Sequence, residues 1–130
     1  MTYKILLVAL GGALGAVCRY GLARGLQHMN PHPWFSLGVL TANLVGCILM
    51  GALVVWVGGL NEAYREAIAA FVLIGFLGSL TTFSTFILEI VKLAQNNALR
   101  VILTQVSAHL LLGILGLWIG HSLAERLSGR

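Results

Sequence analysis

Four long apolar runs, over residues 3–22, 34–57, 66–93 and 101–123, constrain this chain more than any other feature. Each is close to or above the ~20 residues that cross the hydrocarbon core of a bilayer. They occupy most of the 130 residues and leave no room for a soluble domain. The breaks between them are short and polar. Residues 27–33 carry Pro31 and Pro33, residues 58–65 a glycine pair, Asn61 and two charges, and residues 95–100 two asparagines and Arg100. Loops this short make consecutive helices antiparallel neighbours. Composition agrees: 58% of residues are hydrophobic and 9% charged, against ~25% charged in a soluble domain. The expected fold is an all-α integral membrane protein, one four-helix transmembrane domain over residues 1–130.

Several function classes drop out. The formal net charge is +4, but the Lys and Arg residues are scattered along the chain, not clustered as nucleic-acid binding requires. Cys18 and Cys47 lie inside apolar runs and read as small buried residues rather than a disulfide. No metal-ligating spacing of His, Cys, Asp and Glu emerges, and no nucleophile–base set or phosphate loop does either; an enzyme is not expected. Lys4 before an apolar stretch imitates a signal peptide. With no clear cleavage site after it, the segment reads as a retained first helix.

Interfaces and packing are also legible. Tyr3, Tyr20, Trp34, Trp56, Tyr64 and Trp118 fall near predicted helix ends, as an aromatic belt would. Small residues recur at four-residue spacing, as in Gly11/Gly15, Gly38/Ala42/Gly46 and Gly116/Gly120. Such stripes let helix backbones approach closely in lipid. Four crossings put Lys4, Arg65, Arg126 and Arg130 on one side and Arg19, Arg24, Lys92 and Arg100 on the other, a tally of four against four. The positive-inside rule then gives no preferred orientation. Insertion both ways, with pairing into an antiparallel homodimer, stands beside a single orientation set by a partner or by the first helix.

The third run is too long for one straight crossing: about 28 residues of helix span ~42 Å, against a ~30 Å core. Its middle reads Gly75-Phe-Leu-Gly-Ser-Leu-Thr-Thr-Phe-Ser-Thr-Phe86, two glycines followed by Ser and Thr. A helix break is expected there. Backbone groups freed at membrane depth are tolerated only inside protein or beside water or an ion, and broken helices are a recurrent way to build ion sites.

Candidate site residues gather around that break. Phe83 and Phe86, three apart, share a helix face with hydroxyls flanking both rings. The rings are either plain core or positive edges for a small anion, and the hydroxyls are donors in place of water. Asn43, mid-membrane in the second run, is either an interhelical hydrogen bond or an N–H donor to a passing anion. Glu89 is a functional candidate as an intramembrane carboxylate, or a partner of Lys92 three residues on. Arg19 either snorkels to the headgroups or draws anions into a vestibule. Gln105 and His109, at i and i+4, suggest a lined cavity.

The Gly75–Phe86 run resembles the signature of the Fluc (CrcB) family of fluoride channels. Gly11-Gly-Ala-Leu-Gly-Ala-Val-Cys-Arg-Tyr20 and Thr41-Ala-Asn-Leu-Val-Gly46 resemble that family's first- and second-helix patterns. The likeness runs in order over essentially the whole chain. It implies an antiparallel, dual-topology homodimer in the inner membrane of a prokaryote, surrounded by lipid, with two anion pores and a central structural sodium ion. Carried over, Phe83 and Phe86 are the pore phenylalanines and Asn43 the pore amide. Ser84 and Thr85 lie beside the pore and Arg19 near its mouth. The backbone carbonyls of Gly78 and Thr81 hold sodium. Many relatives carry Thr where this chain has Val39, and their helix-four serines fall on His109 and Gly113, so His109 is the expected donor there in place of a hydroxyl.

The implied activity is passive export of fluoride. Hydrogen fluoride enters cells neutral and dissociates inside, and a negative-inside potential then drives the anion out through a pore. Two other classes compete. A small dual-topology drug or cation exporter has the same size, but needs an acidic residue deep in the first helix, where this chain has none. A membrane scaffold needs the small-residue stripes but not a Ser/Thr/Phe break.

Overall fold

In lipid every backbone polar group needs a partner within the protein, which forces the apolar runs into helices. The computed structural model describes residues 2–129; Arg130, counted above in the charge tally, lies outside the described residues. Four stretches are long and apolar enough to cross a membrane: Thr2–Gly25, Leu37–Gly58, Glu62–Gln95 and Leu99–Leu127. The first is helix α1 and the second α2, joined through a short 3-10 turn at Gln27–Met29. Ser36 caps α2 by accepting a hydrogen bond from the Val39 amide, which places the start of the helix after the two prolines.

The third stretch is not one helix. It runs as α3 (Glu62–Ile68), a π-helical segment (Ala69–Leu77) and the single turn α4 (Gly78–Leu80), breaks at Thr81–Thr82, and resumes as α5 (Phe83–Gln95). Thr81 and Thr82 are extended, with ψ of 153° and 116°. The fourth stretch is α6 (Leu99–Ser107), a π-helical turn (Ala108–Leu112) and α7 (Gly113–Leu127). π turns inside α-helices widen the helix locally and recur at functional sites.

Helix α1 packs along the π segment of the third stretch, and α2 along α7. Close approach explains the glycines. A Cβ at Gly15 would collide with the backbone of Phe76, and one at Gly120 with the backbone of Ile48. Ala42, Leu77 and Leu80 form the fully buried centre, with Leu49, Met50, Leu73 and Phe76 packed around it. That centre sits directly before the break and anchors its N-terminal side. Outside, Leu10, Val17, Ile74, Leu111 and Ile114 are each more than half exposed, the outward-facing apolar surface that a bilayer covers. Cys18 is exposed on α1 rather than buried: it lines an open surface groove beside Phe76 and Leu80, which its apolar neighbours in sequence do not reveal.

Candidate functional site

The break leaves backbone groups that the helix would otherwise pair. In an unbroken helix the Thr82 amide would donate to the Gly78 carbonyl. Here it donates to Asn43 Oδ1 at 2.7 Å, and Asn43 Nδ2 donates to the Thr82 carbonyl at 3.1 Å. One side-chain amide from α2 thus satisfies both backbone groups of Thr82. The geometry fixes which way the amide faces, because an N–H needs the oxygen and a carbonyl needs the nitrogen. The second N–H of Nδ2 remains for another acceptor.

Thr82 also caps α5. Its Oγ1 accepts from the Thr85 amide at 3.3 Å, donates to Thr85 Oγ1 at 3.0 Å, and lies 3.4 Å from Ser84 Oγ. Thr81 folds back on the preceding turn, its amide and hydroxyl both donating to the Leu77 carbonyl at 3.1 and 3.0 Å. Its methyl group occupies the space above Gly46, where any Cβ would displace it. The carbonyls of Gly78 and Thr81 accept no hydrogen bond from the described residues.

A groove of about 350 Å³ opens at the break. Asn43, Gly46 and Cys47 of α2, Thr81 and Thr82, Phe83 and Phe86 of α5, and His109 of the π turn line it. The two phenyl rings stand 6.0 Å apart at 49°. Phe86 is buried against His109, ring centroids 4.3 Å apart, whereas Phe83 is 74% exposed.

A polar column leaves the groove along α5 and α6. His109 Nδ1 lies 3.0 Å from the Gln105 carbonyl. Gln105, fully buried, donates through Nε2 to Glu89 Oε2, which also accepts from the Ser36 amide at 3.4 Å. Gln105 Oε1 and His109 Nε2 are buried with no partner among the described residues. Glu89 does not pair with Lys92. The Lys92 ammonium sits over the Trp34 ring, 4.8 Å from its centroid. At i+3 the two side chains diverge, Glu89 toward α6 and Lys92 toward the aromatic in the connection before α2.

The structure therefore brings together Asn43, Thr81, Phe83, Phe86 and His109, with Ser84 and Thr85 tied to the same cap. Arg19, half-buried on α1, and Gly78, exposed on α4, are not among the residues lining the groove. Thr82 is the residue that sequence reasoning passed over. A Thr three residues ahead of Thr85, at the start of a resumed helix, is a capping signal, hidden here because the surrounding residues are also Ser and Thr.

The carbonyls of Gly78 and Thr81 fit a hard cation in kind, being oxygen donors without hydrogen-bond partners. Two such donors are too few to enclose one, so a complete site needs oxygens from elsewhere. No group of three or more His, Cys, Asp and Glu suited to a metal occurs among the described residues.

Comparison with known proteins gives a consistent family. Residues 6–121 match the family described as CrcB-like protein, Camphor Resistance (CrcB). A Salinibacter ruber protein named fluoride-specific ion channel FluC is 41% identical over 97% of this chain and 92% of its own length. Proteins of the same name from Psychrobacter cryohalolentis and Caulobacter vibrioides are 40% and 36% identical, over 88% and 95% of this chain and 91% and 97% of their own.

Proposed function

The chain belongs to the CrcB family, and we propose that it works as its named relatives do, as a fluoride-specific ion channel that lets cytoplasmic fluoride leave passively down its electrochemical gradient. The observation that carries the mechanism is the groove at the helix break, where an amide, hydroxyls and two phenyl rings meet. Fluoride holds its water tightly, so a conducting site must replace that water with donors yet let the ion go. The free N–H of Asn43 Nδ2, the Ser84 and Thr85 hydroxyls and the positive edges of Phe83 and Phe86 supply such donors. None of them carries a charge, which keeps binding weak enough for release.

The functional unit is an antiparallel homodimer in the inner membrane of a prokaryote. Three features support that assembly. The break's carbonyls at Gly78 and Thr81 lack partners among the described residues, and lipid does not supply them. Phe83 and Ser84 are exposed beside them. The balanced tally of basic residues permits both orientations. A second copy related by a two-fold axis would double the carbonyl set, giving a sodium ion four oxygens from Gly78 and Thr81 of each copy. Sodium held there would neutralise those dipoles. Arg19 lies toward a pore mouth and raises the local anion concentration.

The test is efflux from liposomes holding the purified protein, followed with a fluoride electrode and a parallel chloride electrode. Fluoride efflux without chloride efflux is expected. Phe83→Ile and Phe86→Ile each cut fluoride flux while the dimer persists on a sizing column. Folded protein that passes neither ion, or both alike, would refute the reading.

A further inference from the structure

His109 is the groove residue of the side-chain type that changes charge near neutral pH. Its Nδ1 lies 3.0 Å from the backbone carbonyl of Gln105. A carbonyl only accepts, so Nδ1 carries the hydrogen. In the neutral ring Nε2 is then a bare lone pair. That nitrogen is buried without a partner, on a ring that lines the groove. A lone pair there repels an anion. Neutral His109 therefore does not stand in for a hydroxyl, and only the imidazolium offers an N–H at Nε2.

The surroundings suit a transient cation. The Phe86 ring stacks on the imidazole with centroids 4.3 Å apart, within cation–π range. From α5, Glu89 reaches the same column through Gln105, which links the two side chains. From α2, the Cys47 thiol lines the same groove. Among the described residues no Lys or Arg lines it.

We propose that His109 is a proton-linked fluoride ligand: Nε2 takes up a proton from hydronium of the bulk solvent as fluoride arrives, donates N–H to the ion, and returns the proton to solvent water when the ion leaves. This rests on the fluoride-channel reading and adds to it that occupancy of the groove and protonation of His109 favour each other. Linkage makes the coupling reciprocal. Acid promotes fluoride binding, and fluoride promotes proton uptake.

The measurement is fluoride efflux from proteoliposomes between about pH 8 and about pH 6, with the leak of protein-free vesicles subtracted at each pH. An imidazole gains charge toward the acid end of that range, and protein-dependent flux is expected to rise at least ~5-fold. His109→Gln flattens the profile, whereas Glu89→Gln and Cys47→Ser keep it, which assigns the dependence to the imidazole. A second readout needs no variant: in wild-type protein near pH 7.5, nitrogen-15 NMR of the His109 ring moves from the neutral Nδ1–H tautomer toward imidazolium as sodium fluoride, but not sodium chloride, is added. A flat wild-type profile with good fluoride flux, or a profile that survives His109→Gln, overturns the inference and leaves the channel reading intact. Absence of protein-dependent fluoride flux at every pH overturns both.

Discussion

Asn43→Ala separates the two duties of this amide, and its size follows from the contacts at the break. In the wild type the Thr82 N–H and C=O have Asn43 as their hydrogen-bond partner, at 2.7 and 3.1 Å. Truncation leaves a donor and an acceptor orphaned at membrane depth. A buried polar group left unsatisfied costs about 1–3 kcal/mol, so two of them set an upper bound of about 6 kcal/mol. Side-chain bonds between membrane helices average only ~0.6 kcal/mol, because freed side chains find other partners. The backbone of Thr82 has less freedom than a side chain. Its amide regains a partner only by turning back toward the Gly78 carbonyl, which closes the break. The expected loss is about 2–4 kcal/mol, read as a lowered midpoint when the protein in mixed micelles is unfolded with a denaturing detergent. Asn43→Asp is the informative companion. Its carboxylate still accepts from the Thr82 amide but faces the Thr82 carbonyl with a second acceptor, so it fails to restore stability. If Asn43→Ala unfolds within about 0.5 kcal/mol of the wild type, the clamp is not what holds the break, and Asn43 is left with its proposed role toward the ion alone.

Thr82→Val keeps the shape but deletes the cap on α5, and should cost about 1 kcal/mol in the same unfolding assay, with fluoride flux falling because Thr85 and Ser84 lose a common anchor. No change in either readout would remove Thr82 from the site. Gly120→Val places a Cβ against the Ile48 backbone where α2 and α7 are packed; overpacking of this kind costs about 1–3 kcal/mol, and Gly58→Val, with open space around it, serves as a control that keeps wild-type stability. Exchanging sodium for N-methylglucamine should lower the melting temperature of the protein in a concentration-dependent way, since a ligand at 100 times its Kd contributes about 2.7 kcal/mol; a melting curve indifferent to sodium would rule out the proposed carbonyl site at Gly78 and Thr81.

What was legible in the sequence follows from the solvent. Where lipid forbids unpaired backbone, length and hydropathy suffice to announce membrane-spanning helices, and a Gly/Ser/Thr run of excess length announces where one fails. Which group repairs the failure is a different kind of fact. Asn43 and Thr82 are separated by 39 residues, and nothing in either local pattern selects the other. Glu89 shows the same limit in a sharper form. Its i+3 neighbour Lys92 is the partner that helix geometry suggests, yet the carboxylate turns to Gln105 on the next helix while the ammonium takes the Trp34 ring. A charge in a bundle chooses among all the helices that surround it, and spacing along one helix ranks only the candidates on that helix. The π-helical segments were invisible for a related reason: Ala69–Leu77 has no residue signature of its own, and its widened turns lie where α1 packs against it, with Gly75 against Val8 and Gly12. The polar column from Glu89 to His109 is therefore a product of packing, and the tautomer of His109, on which its behaviour toward an anion turns, is set by a backbone carbonyl one helical turn away. Sequence places the imidazole on the right face. Only the hydrogen bond at Nδ1 decides that the buried Nε2 is an acceptor until a proton reaches it.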